Sequence, residues 1–120
     1  MIPKFRAWFG SEMYDEPVVY DGEFYLDWRD FEDGETYNDA VLMQSTGLFD
    51  KNGKEIFEGD VVKLRYTISS DYEFFKVTRF RGGSWRIDNR RRGCELWLRN
   101  EECEIIGNIY ENPELVEEGK

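Results

Sequence analysis

The 120-residue chain contains no histidine, only two cysteines and only three prolines. Without an imidazole there is no Ser-His-Asp or Cys-His nucleophile system and no histidine metal ligand. Cys94 and Cys103 alone do not complete a structural zinc site, which takes four thiolate or imidazole ligands. In an intracellular chain they read as reduced, half-buried strand residues. Gly82-Gly83 is followed by neither a helix signal nor Lys-Ser/Thr, so no phosphate-cradling loop is expected. There is no run of roughly 18 apolar residues, hence no expected membrane helix. Met1–Arg6 lacks an apolar secretory core, and the expected location is the cytoplasm.

What remains for catalysis is a carboxylate pair or a Lys or Tyr base. With 26 Asp and Glu residues, carboxylate pairs arise by chance in any fold of this chain, and a solvated surface is the plain reading of each. No catalytic residue, metal or cofactor is assigned, and the protein is expected not to be an enzyme.

Aromatic residues are abundant: nine Phe, seven Tyr and four Trp make up 17% of the chain. Such a composition offsets ordering entropy and points to one folded domain. Strand signals follow one another closely. Phe5–Phe9 ends at Gly10-Ser11, and Val18–Tyr20 turns at Asp21-Gly22 into Glu23–Trp28. Arg29–Asn38 is acidic and glycine-broken, so a loop is expected. Ala40–Gln44 leads to Asn52-Gly53, a pair that predicts a type I′ hairpin turn with φ > 0 at both residues. Val61–Ile68 alternates, with Val61, Lys63, Arg65 and Thr67 facing opposite to Val62, Leu64, Tyr66 and Ile68. Phe74–Phe80 and Ser84–Ile87 form a hairpin across Gly82-Gly83, and Cys94–Leu98 and Cys103–Ile109 are further strands. Asn112-Pro113 starts a short C-terminal helical turn. The pattern predicts a mainly β protein: an N-terminal β segment over 1–44 and an SH3-like small barrel over 45–112. Trp8, Leu48, Phe57, Val62 and Ile106 are the expected core. Gln44, Ser45, Thr46, Asn108, Tyr110 and Asn112 are expected mainly to satisfy turns.

Charge is segregated. Residues 12–39 hold eleven carboxylates against Arg29, whereas residues 76–99 hold eight cations against Asp88 and Glu95. Opposite charges so divided are expected to meet within the fold or between subunits, and a homo-oligomer held by the second kind of pairing is expected. Arg79, Arg81, Arg86, Arg90, Arg91 and Arg92 are the candidate contacts to a partner or to single-stranded nucleic acid; Trp85 would then serve as a stacking platform, although its alternation with Ile87 favours core packing. That second use requires the arginines on one exposed face, and the net charge of −10 opposes it. Asp27, Asp30, Glu32, Asp33 and Glu35 form the candidate acidic face, which would also suit a mimic of nucleic-acid phosphates.

Three blocks resemble the YopX family of small phage and prophage proteins. They are Lys4–Trp8 followed by Met13-Tyr14; Leu42–Leu48 running through Asp50–Ile56 to Glu58–Asp60; and Glu104–Leu115. The resemblance implies a mostly β fold with an SH3-like barrel, a phage or prophage origin and a cytoplasmic setting. It implies no established activity and supplies no catalytic residues. The leading expectation is a non-enzymatic accessory protein that binds a macromolecule and self-assembles, a host or phage protein being favoured over nucleic acid, with no membrane partner.

Overall fold

A computed structural model describes residues 4–21, 23–34, 39–80 and 82–117. The chain is mainly β and divides into two compact units, residues 1–45 and 46–120.

In the first unit, β1 (Phe5–Phe9) pairs antiparallel with β2 (Glu12–Tyr14) and with the start of β5 (Val41–Phe49). Ala7 on β1 and Met43 on β5 are buried. A separate hairpin joins β3 (Val18–Tyr20) to β4 (Glu23–Tyr25), with Tyr20 opposite Glu23. Its two-residue loop places Asp21 at φ 51°, a left-handed conformation that a short polar side chain tolerates.

Where a loop was expected, helix α1 (Trp28–Asp33) forms. Its ends are specified locally. The Asp27 carboxylate accepts the Asp30 N–H at 2.9 Å, and Gly34 at φ 73° returns its N–H to the Asp30 and Phe31 carbonyls. An Asp N-cap and a left-handed glycine C-cap make a complete helix stop and start.

The second unit holds a five-stranded antiparallel sheet ordered β10-β9-β8-β7-β11. The strands are β7 (Asp60–Arg65), β8 (Tyr72–Arg79), β9 (Trp85–Asp88), β10 (Gly93–Glu95) and β11 (Glu104–Asn108). Strand β5 continues into this unit, where β6 (Glu55–Phe57) is its hydrogen-bonded neighbour. Ile56, Val62, Leu64, Phe75, Val77, Ile87, Leu96 and Cys103 form one core. Of the expected core, Val62 is buried, while Trp8, Leu48, Phe57 and Ile106 are only half-buried. Strand β7 departs from strict alternation, since Val61 is as buried as Val62. Its run ends at Arg65, so Tyr66 and Ile68 lie in the following turn and Ile68 is exposed. Cys94–Leu98 is not one strand: after β10 the chain turns into helix α2 (Leu96–Arg99), which buries Leu96 alone, and a 3₁₀ turn at Asn100–Glu102. Helix α3 (Glu114–Glu117) follows Asn112-Pro113.

The Asn52-Gly53 turn is not type I′. Only Gly53 has positive φ, at 81°. Gly53 N–H reaches the Asp50 carbonyl at 2.9 Å and Asp50 N–H reaches the Lys54 carbonyl at 2.8 Å. That is a three-residue loop, a type I turn closed by a left-handed glycine. Between β8 and β9, Phe80 N–H likewise reaches the Ser84 carbonyl and Gly83 N–H the Phe80 carbonyl, both at 2.8 Å, with Gly83 at φ 95°. Nothing crowds Gly53, so its requirement is conformational alone. Gly53→Val is expected to lower stability by about 1–3 kcal/mol through strain at positive φ. An unchanged denaturation midpoint would show the turn to be energetically irrelevant.

Candidate functional site

On the first unit, the hairpin β3–β4 and helix α1 assemble four aromatic rings. Phe31 is the hub: Tyr20, Tyr25 and Trp28 have ring centroids 5.6, 5.2 and 5.2 Å from it. The hub is half-buried, but Tyr20 and Trp28 are each 62% exposed and Val19 is 46% exposed. Helix α1 buries no residue at all. Asp21, Glu23, Asp27, Asp30, Glu32 and Asp33 lie on these same elements, and all but the half-buried Asp30 are exposed. Burial, then the charge of Glu23, pushes the Tyr25 phenol up. The outcome is an aromatic surface in an acidic rim. Glu35 lies outside the described residues.

The candidate arginines are not gathered on one face. Arg79 ends β8, its guanidinium 5.5 Å from the Trp85 ring. Arg86 lies in mid-strand opposite Thr78 and Glu95. Its Nη1 donates to Glu95 at 3.1 Å and its Nη2 to Asp88 at 3.2 Å. The hydrogen bond to Asp88, ahead of Glu95, holds the Arg86 proton more tightly than usual. Asp88 also accepts the Thr78 hydroxyl, so one polar ladder crosses β8, β9 and β10. Arg90, Arg91 and Arg92 follow the other end of β9. There Asn89 Oδ1 accepts the N–H groups of Arg91 and Arg92 at 2.8 and 2.9 Å. Arg92 pairs with Glu73 at 3.6 Å and lies over Tyr66, while Arg90 and Arg91 are exposed. Arg81 lies outside the described residues. Trp85 is partly buried against the core, the packing role its alternation with Ile87 predicts.

Two buried carboxylates and one buried amide fix the turns. Asp50 Oδ1 accepts Asn52 and Lys54 N–H, each at 2.9 Å, and its Oδ2 accepts Ile105 N–H at 2.9 Å. Burial alone would raise this carboxyl, but the three backbone donors and the Lys54 charge outweigh it and hold it below the usual range. Asp60 accepts Phe57 N–H at 2.8 Å. Asn108 Oδ1 accepts Tyr110 and Glu111 N–H, and Asn112 Oδ1 accepts Asn108 N–H. Thr46 donates to the Ile56 carbonyl and accepts Leu48 N–H. Asn108 and Asn112 are therefore turn-satisfying residues, as expected, whereas Thr46 lies within β5 and ties it to β6. Gly107 belongs to the same arrangement, because a Cβ there would fall on the Asn112 carboxamide.

Both thiols are free. Cys103 is fully buried just before β11, and burial pushes it up to about 12. Cys94, half-buried on β10, is also raised, again chiefly by burial. Neither has the lowered pKa of a nucleophile. Among the described residues, no group of three or more Cys, Asp or Glu is placed to hold a metal ion, and no helix is long and apolar enough to cross a membrane.

The architecture defines a class of mainly β proteins built from an N-terminal β unit and a C-terminal five-stranded antiparallel sheet. Within it, the chain belongs to the YopX family, whose model, described as YopX protein, matches residues 4–117. The crystal structure of protein EF1440 from Enterococcus faecalis is similar over 97% of this chain and 99% of its own, at 28% identity and a TM-score of 0.64. The crystal structure of protein yopX from Bacillus subtilis is similar over 93% and 96%, at 21% identity and a TM-score of 0.61. None of the curated proteins compared with the chain matches it.

Proposed function

We propose that this chain is a non-enzymatic phage or prophage accessory protein that works in the host cytoplasm by binding a protein and by self-assembly. The observation that carries the reading is the acidic aromatic surface of the first unit. Tyr20 and Trp28 stand in water beside Asp27, Glu32 and Asp33, the composition of a surface that recognises a basic, partly apolar partner. The strand order of the second unit, with β11 returning beside β7 over a single core, supports an SH3-like barrel as its finer architecture. Oligonucleotide binding finds less support, because Arg86 and Arg92 are engaged by carboxylates of their own unit.

The partner is tested by affinity capture from a lysogenic host with the wild-type chain and with a Glu32→Lys, Asp33→Lys variant, which spares the Asp27 cap. Wild type is expected to retain a protein that the variant loses. Identical captured sets would remove the acidic surface from the reading. Self-assembly is tested by sedimentation at low and high salt. An assembly that loosens as salt rises is expected, and a monomer at every ionic strength would end that part of the proposal.

A further inference from the structure

The second unit has its own unusual surface, at the turn between β7 and β8. Leu64, Arg65, Ile68, Tyr72, Arg99 and Glu102 line a shallow cleft of about 390 Å³. Ile68 is 95% exposed and Tyr72 52% exposed. Trp97 and Leu98, the residues preceding Arg99 on α2, are exposed as well.

The presentation of Ile68 is built. Thr67 N–H donates to the Ser70 hydroxyl at 3.0 Å, and Ser70 N–H reaches the Thr67 carbonyl at 3.1 Å. Arg99 then ties the end of β7 to α2. Its Nη2 donates to the Arg65 and Tyr66 carbonyls, both at 3.0 Å, and its Nε to Glu102 at 2.9 Å. Ile68 and Tyr72 thus form one exposed apolar surface beside a fixed turn, the kind of surface that suits a binding partner.

The charges around the cleft select what covers it. The Arg99 charge is matched by Glu102. Lys63 stands over Tyr72 at 5.0 Å and pairs with Glu104 at 3.8 Å. Arg65 lies 4.6 Å from the Tyr72 ring centroid and, among the described residues, forms no ion pair. The cleft thus offers apolar walls and, among the described residues, one guanidinium without an ion pair, while the Tyr72 ring already carries Lys63 and Arg65. A polyphosphate would meet the exposed Glu102 carboxylate at the rim, which disfavours nucleic acid. A segment that brings a single carboxylate to Arg65, away from Glu102, and an aromatic side chain to Ile68 fits these features better than a polyanion.

The chain itself carries such a segment. We propose that the cleft seats helix α1 of a second copy, with Trp28 against Ile68 and Tyr72 and an α1-end carboxylate, Asp27 or Asp30, facing Arg65. This inference rests on the self-assembly reading above and names its contact. It couples an exposed aromatic of the acidic unit to the Arg65 cation of the cleft, which is how electrostatic complementarity sets register.

The test uses the full-length chain in three forms at low salt: wild type, Trp28→Ala with α1 impaired, and Ile68→Asp with the cleft impaired. Both substitutions are at exposed residues, and an unchanged thermal midpoint confirms that each variant folds. Wild type is expected to sediment as an assembly and each variant alone as a monomer. Mixed in equal amounts, the variants regain one intact contact, the α1 of Ile68→Asp in the cleft of Trp28→Ala, and are expected to form a 1:1 complex. Variants that assemble like wild type would overturn this seat and leave self-assembly standing. Monomeric variants that stay monomeric when mixed would also overturn it. A wild type that is monomeric at every ionic strength would remove self-assembly, and the seat with it.

Discussion

Asp50→Ala is expected to lower stability by roughly 3 kcal/mol, although Asp50 sits in a hairpin turn where substitutions are usually mild. The carboxylate is buried and serves three backbone donors. Two of them, Asn52 and Lys54, are on exposed residues and can turn to water once it is gone. Ile105 N–H, within the half-buried start of β11, is left without its acceptor, at a cost of about 1–3 kcal/mol. The lost order of the turn adds to it. Urea denaturation measures the difference, and a loss below about 1 kcal/mol would show that β11 holds its place unaided.

The same carboxylate makes a pH prediction. Its pKa is lower folded than unfolded, so the unfolded chain binds the proton more readily. Its contribution is therefore fully present above the ordinary carboxylate range. It is lost as pH falls through the depressed folded value. Wild type and Asp50→Ala should differ most near neutrality and converge in acid.

Phe75→Ala is expected to cost about 3–5 kcal/mol, the range for deleting a fully buried aromatic side chain. Phe75 lies on β8 opposite Val62, at the centre of the second unit's core. Tyr66 stacks on it at 6.2 Å, and Arg92 and Arg99 lie over Tyr66 at 4.8 and 5.4 Å. The cavity therefore also loosens the support beneath two guanidinium groups. Phe75→Leu fills most of the space and should cost much less. Equal losses for the two variants would mean that ring stacking, not volume, governs the site.

Sequence legibility followed the range of the interaction. The hairpins and the strands β1, β3, β7, β8 and β9 were legible because alternation and glycine turns are local signals. Asn52-Gly53 correctly marked a hairpin but not its turn type, which the Asp50 carboxylate decides by drawing in both Asn52 and Lys54. Helix α1 was hidden by its acidic composition, even though Asp27 and Gly34 stand at its two ends as caps. Helix α2 was hidden for the opposite reason: a single apolar turn such as Leu96–Arg99 has no period of its own. On the candidate surfaces, sequence identified the acidic residues but not the exposed rings around Phe31. The cleft at Ile68 was missed because alternation carried the strand on to Ile68, on the face of Val62, whereas β7 ends at Arg65. Arg99's bonds to two carbonyls more than thirty residues away leave no local trace.

The order β10-β9-β8-β7-β11 also governs how the chain is made. Strands β7 to β10 are successive in sequence and pair as each emerges, whereas β11 joins β7 across some forty intervening residues. Closing that long loop is the slow entropic step. Until Glu104–Asn108 has been synthesised, β7 presents Val61, Val62 and Leu64 along an unpaired edge, the kind of edge on which nascent chains aggregate. A chain truncated before Glu104 is therefore expected to aggregate rather than to fold as a smaller protein. The Asp50 carboxylate, already waiting in its turn, is what captures the last strand when it arrives.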